Sequence, residues 1–374
     1  MLYNHIESPM SRKLLVLSAS GALLSTTVLA DTPRVAVDIA PVHSLVSRVM
    51  QGVAEPDLII PPGASPHEYN LRPSEAEALQ NANIVFWIGE DLTPWMDDAV
   101  ETLASEAVIT SLLEADGTVL LDFREDALFE AHKHGDDDHD DHDDHDDHDE
   151  HGEHAEDHDD DHDKHEDHAH EDQHDHDDHA GHKEHGHDEH DEHAHEGHEH
   201  DDHDPHAWLS PENAAVWVNV IAAKLSAADP GNAGVYFGNA AAAREELQEL
   251  VSEVNGVLDP VRGGRFVAFH DAYQYFEVAF DFPASGAISL GDAADPSPAR
   301  IAEIQGRVAE ENIDCVLSEP QFNQGIVNVV MDGAEANTAV LDPLGSALEP
   351  GVDLYPQLLL ALSNSLAECL SSSS

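Results

Sequence analysis

The stretch RVAVDIAPVHSLVSRVM, residues 34–50, contains the repeating unit on which the fold depends. Its first seven residues form a short apolar run that is typical of a buried strand, and the remainder predicts a helix. DLII then predicts a second strand, PSEAEALQNA a second helix and NIVFWIG a third strand. Strands that alternate with helices favour a parallel sheet with helices on both faces.

The same alternation returns in the last third of the chain, where GRFVAFH, DCVLS and TAVLD are predicted strands separated by helical segments. Between the two halves, residues 232–258 carry apolar side chains at spacings of three and four, which predicts one long amphipathic helix. The expected fold class is therefore α/β, with two lobes that each hold a mostly parallel sheet flanked by helices. One long rigid helix is expected to join the lobes.

The expected domain boundaries follow from these patterns. Residues 31–130 and 205–228 form the N-terminal lobe, residues 229–259 the connecting helix, and residues 260–374 the C-terminal lobe. Residues 131–204 interrupt the first lobe and hold 25 of the chain's 30 histidines among many aspartates and glutamates. This segment has no apolar periodicity and its charges repel one another, so we predict a disordered insertion.

The chain is strongly acidic, with a formal net charge of −63. Such a field repels nucleic-acid phosphates and anionic lipid surfaces, so we expect neither as a partner. Cations are the ligands that this charge attracts.

The first 30 residues have the features of an export signal. Arg12 and Lys13 precede the apolar stretch LLVLSASGALLSTTVLA, which ends in small residues suited to a signal peptidase. Translation can begin at Met1 or at Met10. The apolar core is too short for a membrane anchor, so we expect a mature chain that starts near Asp31 and does not span a membrane.

The chain has two cysteines, Cys315 and Cys369. In an oxidising compartment outside the cytoplasm, such a pair favours a disulfide over two free thiols.

Three histidines outside the insertion occupy places where α/β proteins bind ligands. His67 lies in a loop rich in Gly and Pro after the strand DLII, His206 in a Pro-flanked turn before a helix, and His270 at the end of a strand. Ligands of parallel sheets bind beyond the carboxyl ends of the strands. Each histidine alone is more simply explained as a satisfied loop or core residue, but the three together predict a metal site between the lobes.

Imidazole nitrogen suits Zn²⁺, Cu²⁺, Ni²⁺ and Fe²⁺ and is a poor ligand for Ca²⁺ or Mg²⁺. Asp342, at the end of the strand TAVLD, is the candidate fourth group. The alternative for Asp342 is an Asx-type turn before Pro343. His43 is a weaker candidate, and the neighbouring acids Glu68 and Asp271 are candidates for orienting the rings of His67 and His270.

Five motifs carry a resemblance to a known family: PPGASPHEYNLRPS, DPHAWLSPENA, FVAFHDAYQYFE, CVLSEPQFN and LDPLG. In this order they resemble the periplasmic zinc-binding receptors of high-affinity bacterial zinc-uptake ABC transporters, over nearly all of the mature chain. The resemblance implies Zn²⁺ bound between two lobes by His67, His206 and His270, with Asp342 near or on the metal. It also implies a Cys315–Cys369 disulfide and an inner-membrane ABC permease as partner.

Manganese-binding relatives usually carry Glu at the position of His270, so imidazole there favours Zn²⁺. The function expected is periplasmic capture and delivery of Zn²⁺ by a monomer that is not an enzyme, with the insertion as an auxiliary collecting or sensing element. The alternatives are a zinc hydrolase with an open site of three histidines, a receptor for Mn²⁺ or another divalent ion, and a zinc buffer.

Overall fold

The computed structural model describes residues 32–124, 203–289, 296–332 and 335–371. The predicted signal peptide, residues 1–30, lies outside the described residues, and so do residues 131–202 of the predicted insertion. The described residues belong to one compact unit of the chain.

The first half builds a four-stranded parallel sheet in the order β2-β1-β3-β4. Its strands are β1 (Val35–Val37), β2 (Asp57–Leu58), β3 (Ile84–Trp87) and β4 (Val108–Ser111). Its helices are α1 (Ala40–Met50), α2 (Pro73–Asn81), α3 (Pro94–Leu103) and α4 (Pro211–Ala228), with a 3-10 turn at Ala207–Leu209 before α4.

The second half repeats this plan in a parallel sheet of order β6-β5-β7-β8. Its strands are β5 (Phe266–His270), β6 (Gly286–Ser289), β7 (Cys315–Ser318) and β8 (Asn337–Val340). Its helices are α6 (Gln274–Phe280), α7 (Pro298–Glu310), α8 (Gln324–Val330) and α9 (Leu354–Ser371). The expected α/β class with two sheet-based lobes is confirmed.

Helix α5 (Ala233–Leu258) stands between the two sheets in the chain order. Its buried residues recur every three or four positions, which places them on one face. They are Tyr236, Ala240, Ala243, Leu247, Leu250, Val254 and Leu258. Helices α1, α4 and α9 contact it, so one apolar core extends from the first sheet into the second.

Strand β5 shows how the second sheet is buried on both faces. Phe266 and Ala268 belong to the core shared with α5 and α9, whereas Val267 and Phe269 belong to a second apolar cluster with residues of α7 and α8. Successive side chains of a strand point to opposite faces, so a strand covered on both faces is apolar throughout.

The predicted disulfide is present between Cys315, the first residue of β7, and Cys369 in α9. Among the described helices, none combines the length and apolarity needed to cross a membrane.

Candidate metal centre

The structure brings the three predicted histidines together in one small cavity. Its lining includes His67, His206 and His270, and its volume is about 20 Å³. The ring centroids of His206 and His270 are 5.2 Å apart, and those of His67 and His206 are 5.6 Å apart. Residues 67 and 206 come from the first half of the fold and residue 270 from the second, so the cavity lies between the lobes.

A carboxylate from its own turn holds the imidazole of His206. Asp204 Oδ1 accepts from the backbone N–H of His206 at 3.0 Å and lies 2.7 Å from its ring Nδ1. Both residues are almost fully buried. Pro205 lies between them and restricts the backbone of the turn, while the contact of Asp204 with Nδ1 holds the ring.

His270, the last residue of β5, is held by a carboxylate from the neighbouring strand connection. Glu319 directly follows β7, and its Oε1 lies 2.7 Å from Nδ1 of His270. The same oxygen accepts from the backbone N–H of His270 at 3.3 Å. Strands β5 and β7 are paired, which explains why residues far apart in sequence meet here.

The two carboxylates determine which nitrogen of each ring faces the cavity. A carboxylate only accepts hydrogen bonds, so Nδ1 of each neutral imidazole carries the proton and Nε2 carries the lone pair. The Nε2 atoms of His206 and His270 lie 3.4 Å apart. In the neutral tautomer with Nδ1 protonated, the two Nε2 lone pairs are available for a cation bound between the rings.

His67 lies on a half-buried loop at the edge of this pair. Trp95 in α3 supports the loop by donating its indole N–H to the carbonyl of Pro66 at 2.7 Å. Within the described ranges, no three His, Cys, Asp or Glu side chains are placed so that together they could hold a metal ion. Of the three histidines, His67 is the least buried.

Asp342 follows β8 and is held in a turn. Its Oδ1 accepts from Gln321 Nε2 at 3.0 Å and from the N–H of Leu344 at 3.1 Å. Its Oδ2 accepts from the N–H of Ser346 at 2.6 Å and from the Ser346 hydroxyl at 2.5 Å. This is the Asx-type arrangement that the sequence left open as the alternative.

The residues expected to orient the rings are different in the structure. Asp271 receives hydrogen bonds from Arg124, which also binds Glu277, and the carboxylate on Nδ1 of His270 is that of Glu319. Burial raises the pKa of Asp271 to about 6, although the Arg124 guanidinium lowers it. Glu68 is exposed.

His43 is buried in the first lobe. Its Nε2 lies 3.0 Å from the carbonyl of Pro56, and the Ser47 hydroxyl lies 3.5 Å from its Nδ1. Burial lowers the pKa of His43, which keeps the ring neutral in the core.

Residues 35–369 match the family model of the zinc-uptake complex component A, periplasmic. The chain belongs to this family. It is 43% identical to the high-affinity zinc uptake system protein ZnuA of Brucella suis, over 90% of this chain and 91% of that protein. It is 39% identical to ZnuA of Paracoccus denitrificans, over 95% of this chain and 97% of that protein.

The fold is also shared with solved metal-binding proteins. The periplasmic zinc-binding protein TroA from Treponema pallidum superposes with a TM-score of 0.63, at 15% identity, and covers 91% of this chain and 99% of its own. At 15% identity, this similarity shows a shared fold only. Membership of the zinc-uptake family is shown by the sequence match to the family model.

Proposed function

We propose that this chain captures Zn²⁺ in the periplasm, holds it between its two lobes and delivers it to an ABC permease in the inner membrane. Membership of the periplasmic zinc-uptake family supports this function. The observation that carries it is the 3.4 Å approach of Nε2 of His206 to Nε2 of His270, with both Nδ1 atoms held by carboxylates.

We propose His67, His206 and His270 as the zinc ligands and Asp342 as the carboxylate near the ion. Three neutral imidazoles suit Zn²⁺ better than they suit Mn²⁺, which prefers oxygen ligands. Asp204 and Glu319 increase the basicity of two of these ligands through their Nδ1 hydrogen bonds. The three ligands themselves carry no charge, and the two adjoining carboxylates offset the charge of the ion.

We further propose that the chain is a receptor and not a hydrolase. A site of three histidines can activate water, so the alternative has a chemical basis. The cavity volume of about 20 Å³ is room for an ion and a water molecule, whereas pockets for organic substrates are about 300–1,000 Å³. We also propose that the protein acts as a monomer.

The role proposed for residues 131–204 is to collect zinc at several weaker sites or to sense it, and to pass it to the cleft. A flexible ligand set loses conformational entropy on binding, so its affinity for each ion is expected to be lower than that of the built site. Release at the permease is proposed to follow from a shift of the lobes that removes one ligand.

The test is a competition titration of Zn²⁺ against a chelator, with the full chain and with a chain lacking residues 132–200, a deletion that keeps Asp204. Both chains are expected to keep one tight site. His206→Ala should weaken this site more than about 100-fold, since even outer-shell changes typically cost 10–100-fold.

The matched control is His203→Ala, which removes a histidine three residues away whose Nδ1 lies 3.1 Å from Asp122 Oδ1. This variant should retain the tight site. Unchanged affinity in His206→Ala, or loss of all tight binding with the insertion, would contradict the proposed function.

A further inference from the structure

Arg124 of the first lobe binds two buried carboxylates of the second lobe. Its guanidinium donates four hydrogen bonds to them. Nε donates to Asp271 Oδ2 at 2.9 Å and Nη1 to Glu277 Oε2 at 3.0 Å, while Nη2 donates to the second oxygen of each acid. The side chain of Arg124 is 13% exposed and those of the two acids are 6% exposed. Forked pairing of this kind fixes the orientation of both partners as well as their distance.

A short two-stranded segment, residues 119–124 and 203–204, carries this arginine, and we call it the neck. Its two parts are joined by an antiparallel bridge and by a hydrogen bond from the N–H of Asp204 to the carbonyl of Leu121, at 2.8 Å. Asp204 is also the carboxylate that holds Nδ1 of His206. The neck therefore supports one of the proposed zinc ligands.

Hydrogen bonds fix the neck to both lobes. In the first lobe, the side-chain oxygen of Asn213 in α4 accepts from the N–H of Val119 at 2.8 Å. In the second lobe, the hydroxyl of Tyr275 in α6 accepts from the N–H of Leu121 at 2.9 Å. Arg124 follows three residues later and adds the charged contact. Separation of the lobes therefore has to break the contacts on one side of the neck.

Gln274, the first residue of α6, adds a further contact to the neck. Its amide faces two acceptors, Oδ2 of Asp204 and the carbonyl of Asp122, so its NH₂ group occupies that end of the side chain. In this orientation it donates to them at 3.0 Å and 3.2 Å. Asp204 thus binds His206 through Oδ1 and the second lobe through Oδ2.

The charges make the contact of Arg124 costly to break. Asp271 and Glu277 are both buried, and burial disfavours their ionised forms unless a positive charge is paired with them. If the guanidinium left, the two acids would repel each other and water would have to enter to solvate them. Removal of one partner from a buried ion pair is unfavourable for this reason. Arg124 therefore opposes the opening of the lobes at this point.

We propose that Arg124 is a latch between the lobes that sets the rate at which Zn²⁺ enters and leaves the cleft. It joins the neck, which supports His206, to Asp271, the chain neighbour of His270. Arg124 is a positioning residue, because it keeps the ligands of the two lobes together and does not bind the ion. The inference rests on the proposed function, since it presumes that histidines from both lobes hold the ion.

The latch is expected to act on the rates more than on the affinity. Neither Arg124 nor its two acids line the cavity, so the latch should hold the lobes together equally well with and without an ion. It then slows uptake and release by the same factor, and the dissociation constant stays nearly constant. A residue that supported the geometry of the ligands would instead change the dissociation constant.

The experiment measures both rates on the full chain with one equivalent of Zn²⁺, which fills the tight site before any weaker one. Release is followed after mixing with excess chromophoric chelator, and uptake by tryptophan fluorescence, since the ring of Trp208 lies 5.2 Å from that of His206. In Arg124→Gln both rates should rise about 10-fold, the effect of one coupled contact, while the dissociation constant stays within about threefold of the wild type.

Two further variants test whether the arginine acts through its acids. Arg124→Lys keeps the charge but cannot bind both carboxylates in a forked geometry, so its rates should lie between those of the wild type and Arg124→Gln. Glu277→Gln should also speed exchange. The double variant of Arg124→Gln and Glu277→Gln should be no faster than Arg124→Gln alone, because both changes remove the same contact. Rate increases that multiply in the double variant overturn the latch.

Arg48→Gln is the matched control. Arg48 also donates two hydrogen bonds to a carboxylate, that of Glu246, at 2.9 Å and 2.5 Å, but it joins the last turn of α1 to α5. Its exchange rates should stay within about twofold of the wild type. Equal increases in Arg48→Gln and Arg124→Gln would overturn the proposal, since the loss of any arginine–carboxylate pair would then have the same effect.

The outcomes separate this inference from the proposed function. If the wild type binds Zn²⁺ tightly and folded Arg124→Gln exchanges it at the wild-type rates, the latch is wrong and the receptor function stands. The latch is also wrong if release is faster, uptake is unchanged and the dissociation constant rises. If the wild type has no tight site, both proposals fail. Urea unfolding shows that each variant is folded, and Arg124→Lys carries the same test if Arg124→Gln does not fold.

Discussion

At the scale of single residues, the proposed site contains two carboxylates that hold its imidazoles in place. Asp204 and Glu319 are buried, and each lies 2.7 Å from Nδ1 of its histidine. Each of these acids accepts hydrogen bonds from both a ring and a backbone N–H, through Oδ1 of Asp204 and Oε1 of Glu319. The orientation of the rings is therefore set before an ion arrives.

Glu319→Gln tests this orientation. The amide retains an acceptor for Nδ1 but loses the negative charge that makes the ring a stronger base, so zinc affinity is expected to fall about 10–100-fold. A competition titration measures the change. An unchanged dissociation constant would show that the charge of Glu319 has no part in binding.

Asp38, also a single residue, makes the stability of the folded protein depend on pH. It is fully buried at the end of β1, where its two oxygens accept from the N–H groups of Ile39 and Ile88, each at 2.7 Å. Burial raises its pKa from 3.8 to about 7 in spite of these bonds. Between these values the folded state binds more protons than the unfolded state, so the contribution of Asp38 to stability falls as pH rises from about 4 to 7.

Asp38→Asn removes this titration. The free energy of unfolding in urea, measured at pH 5, 6, 7 and 8, should fall less steeply with rising pH in the variant than in the wild type. The difference between the two proteins isolates Asp38 from the other acids of the chain. Parallel pH profiles would contradict the raised pKa.

At the scale of secondary-structure elements, the order of the parallel strands determines where His270 and Glu319 lie. His270 ends β5 and Glu319 follows β7, so both lie at the carboxyl edge of the second sheet. The disulfide lies at the opposite end of β7, because Cys315 is its first residue. The disulfide and the proposed metal site thus lie at different ends of the same strand.

Replacement of both Cys315 and Cys369 by serine should lower the free energy of unfolding by about 4 kcal/mol. The estimate is the loop-closure entropy for a sequence separation of 54 residues. Urea unfolding measures it. Zinc affinity at 25 °C should stay within about twofold of the wild type, and a large loss of affinity would show that the two ends of the strand are not independent.

At the scale of the whole molecule, hydrogen bonds connect the two lobes beside the cleft. Trp208, fully buried in the first lobe, donates its indole N–H to the carbonyl of Pro343 in the second lobe at 2.8 Å. Tyr355 in α9 donates its hydroxyl to the carbonyl of Trp208 at 2.8 Å. The loop that carries His206 is thereby tied to the turn that carries Asp342.

Trp208→Phe removes the indole N–H that reaches the second lobe. This change should weaken zinc binding about fivefold. It should also lower the free energy of unfolding by about 1–3 kcal/mol. Trp217→Phe is a matched control, since Trp217 is also fully buried but donates to Thr118 within the first lobe, at 3.0 Å. Trp217→Phe should cost stability without loss of zinc affinity. Equal affinity losses in both variants would argue against a specific role for the contact between lobes.

The sequence alone was sufficient for the α/β class, for helix α5 and for the meeting of His67, His206 and His270 in one cavity. These features depend on local periodicity and on the rule that parallel strands present their carboxyl ends on one edge, both of which can be evaluated from the order of residues. The Cys315–Cys369 pairing followed from the count of cysteines.

Only the tertiary structure decided which acids serve the histidines. Asp271 is the sequence neighbour of His270, yet adjacent side chains of an extended segment point to opposite sides, and Asp271 pairs with Arg124 instead. Glu319 lies 49 positions away and reaches the ring because β7 pairs with β5. The turn around Asp342 likewise depends on Gln321 from another connection, a contact that sequence order does not encode because it is set by strand pairing and packing.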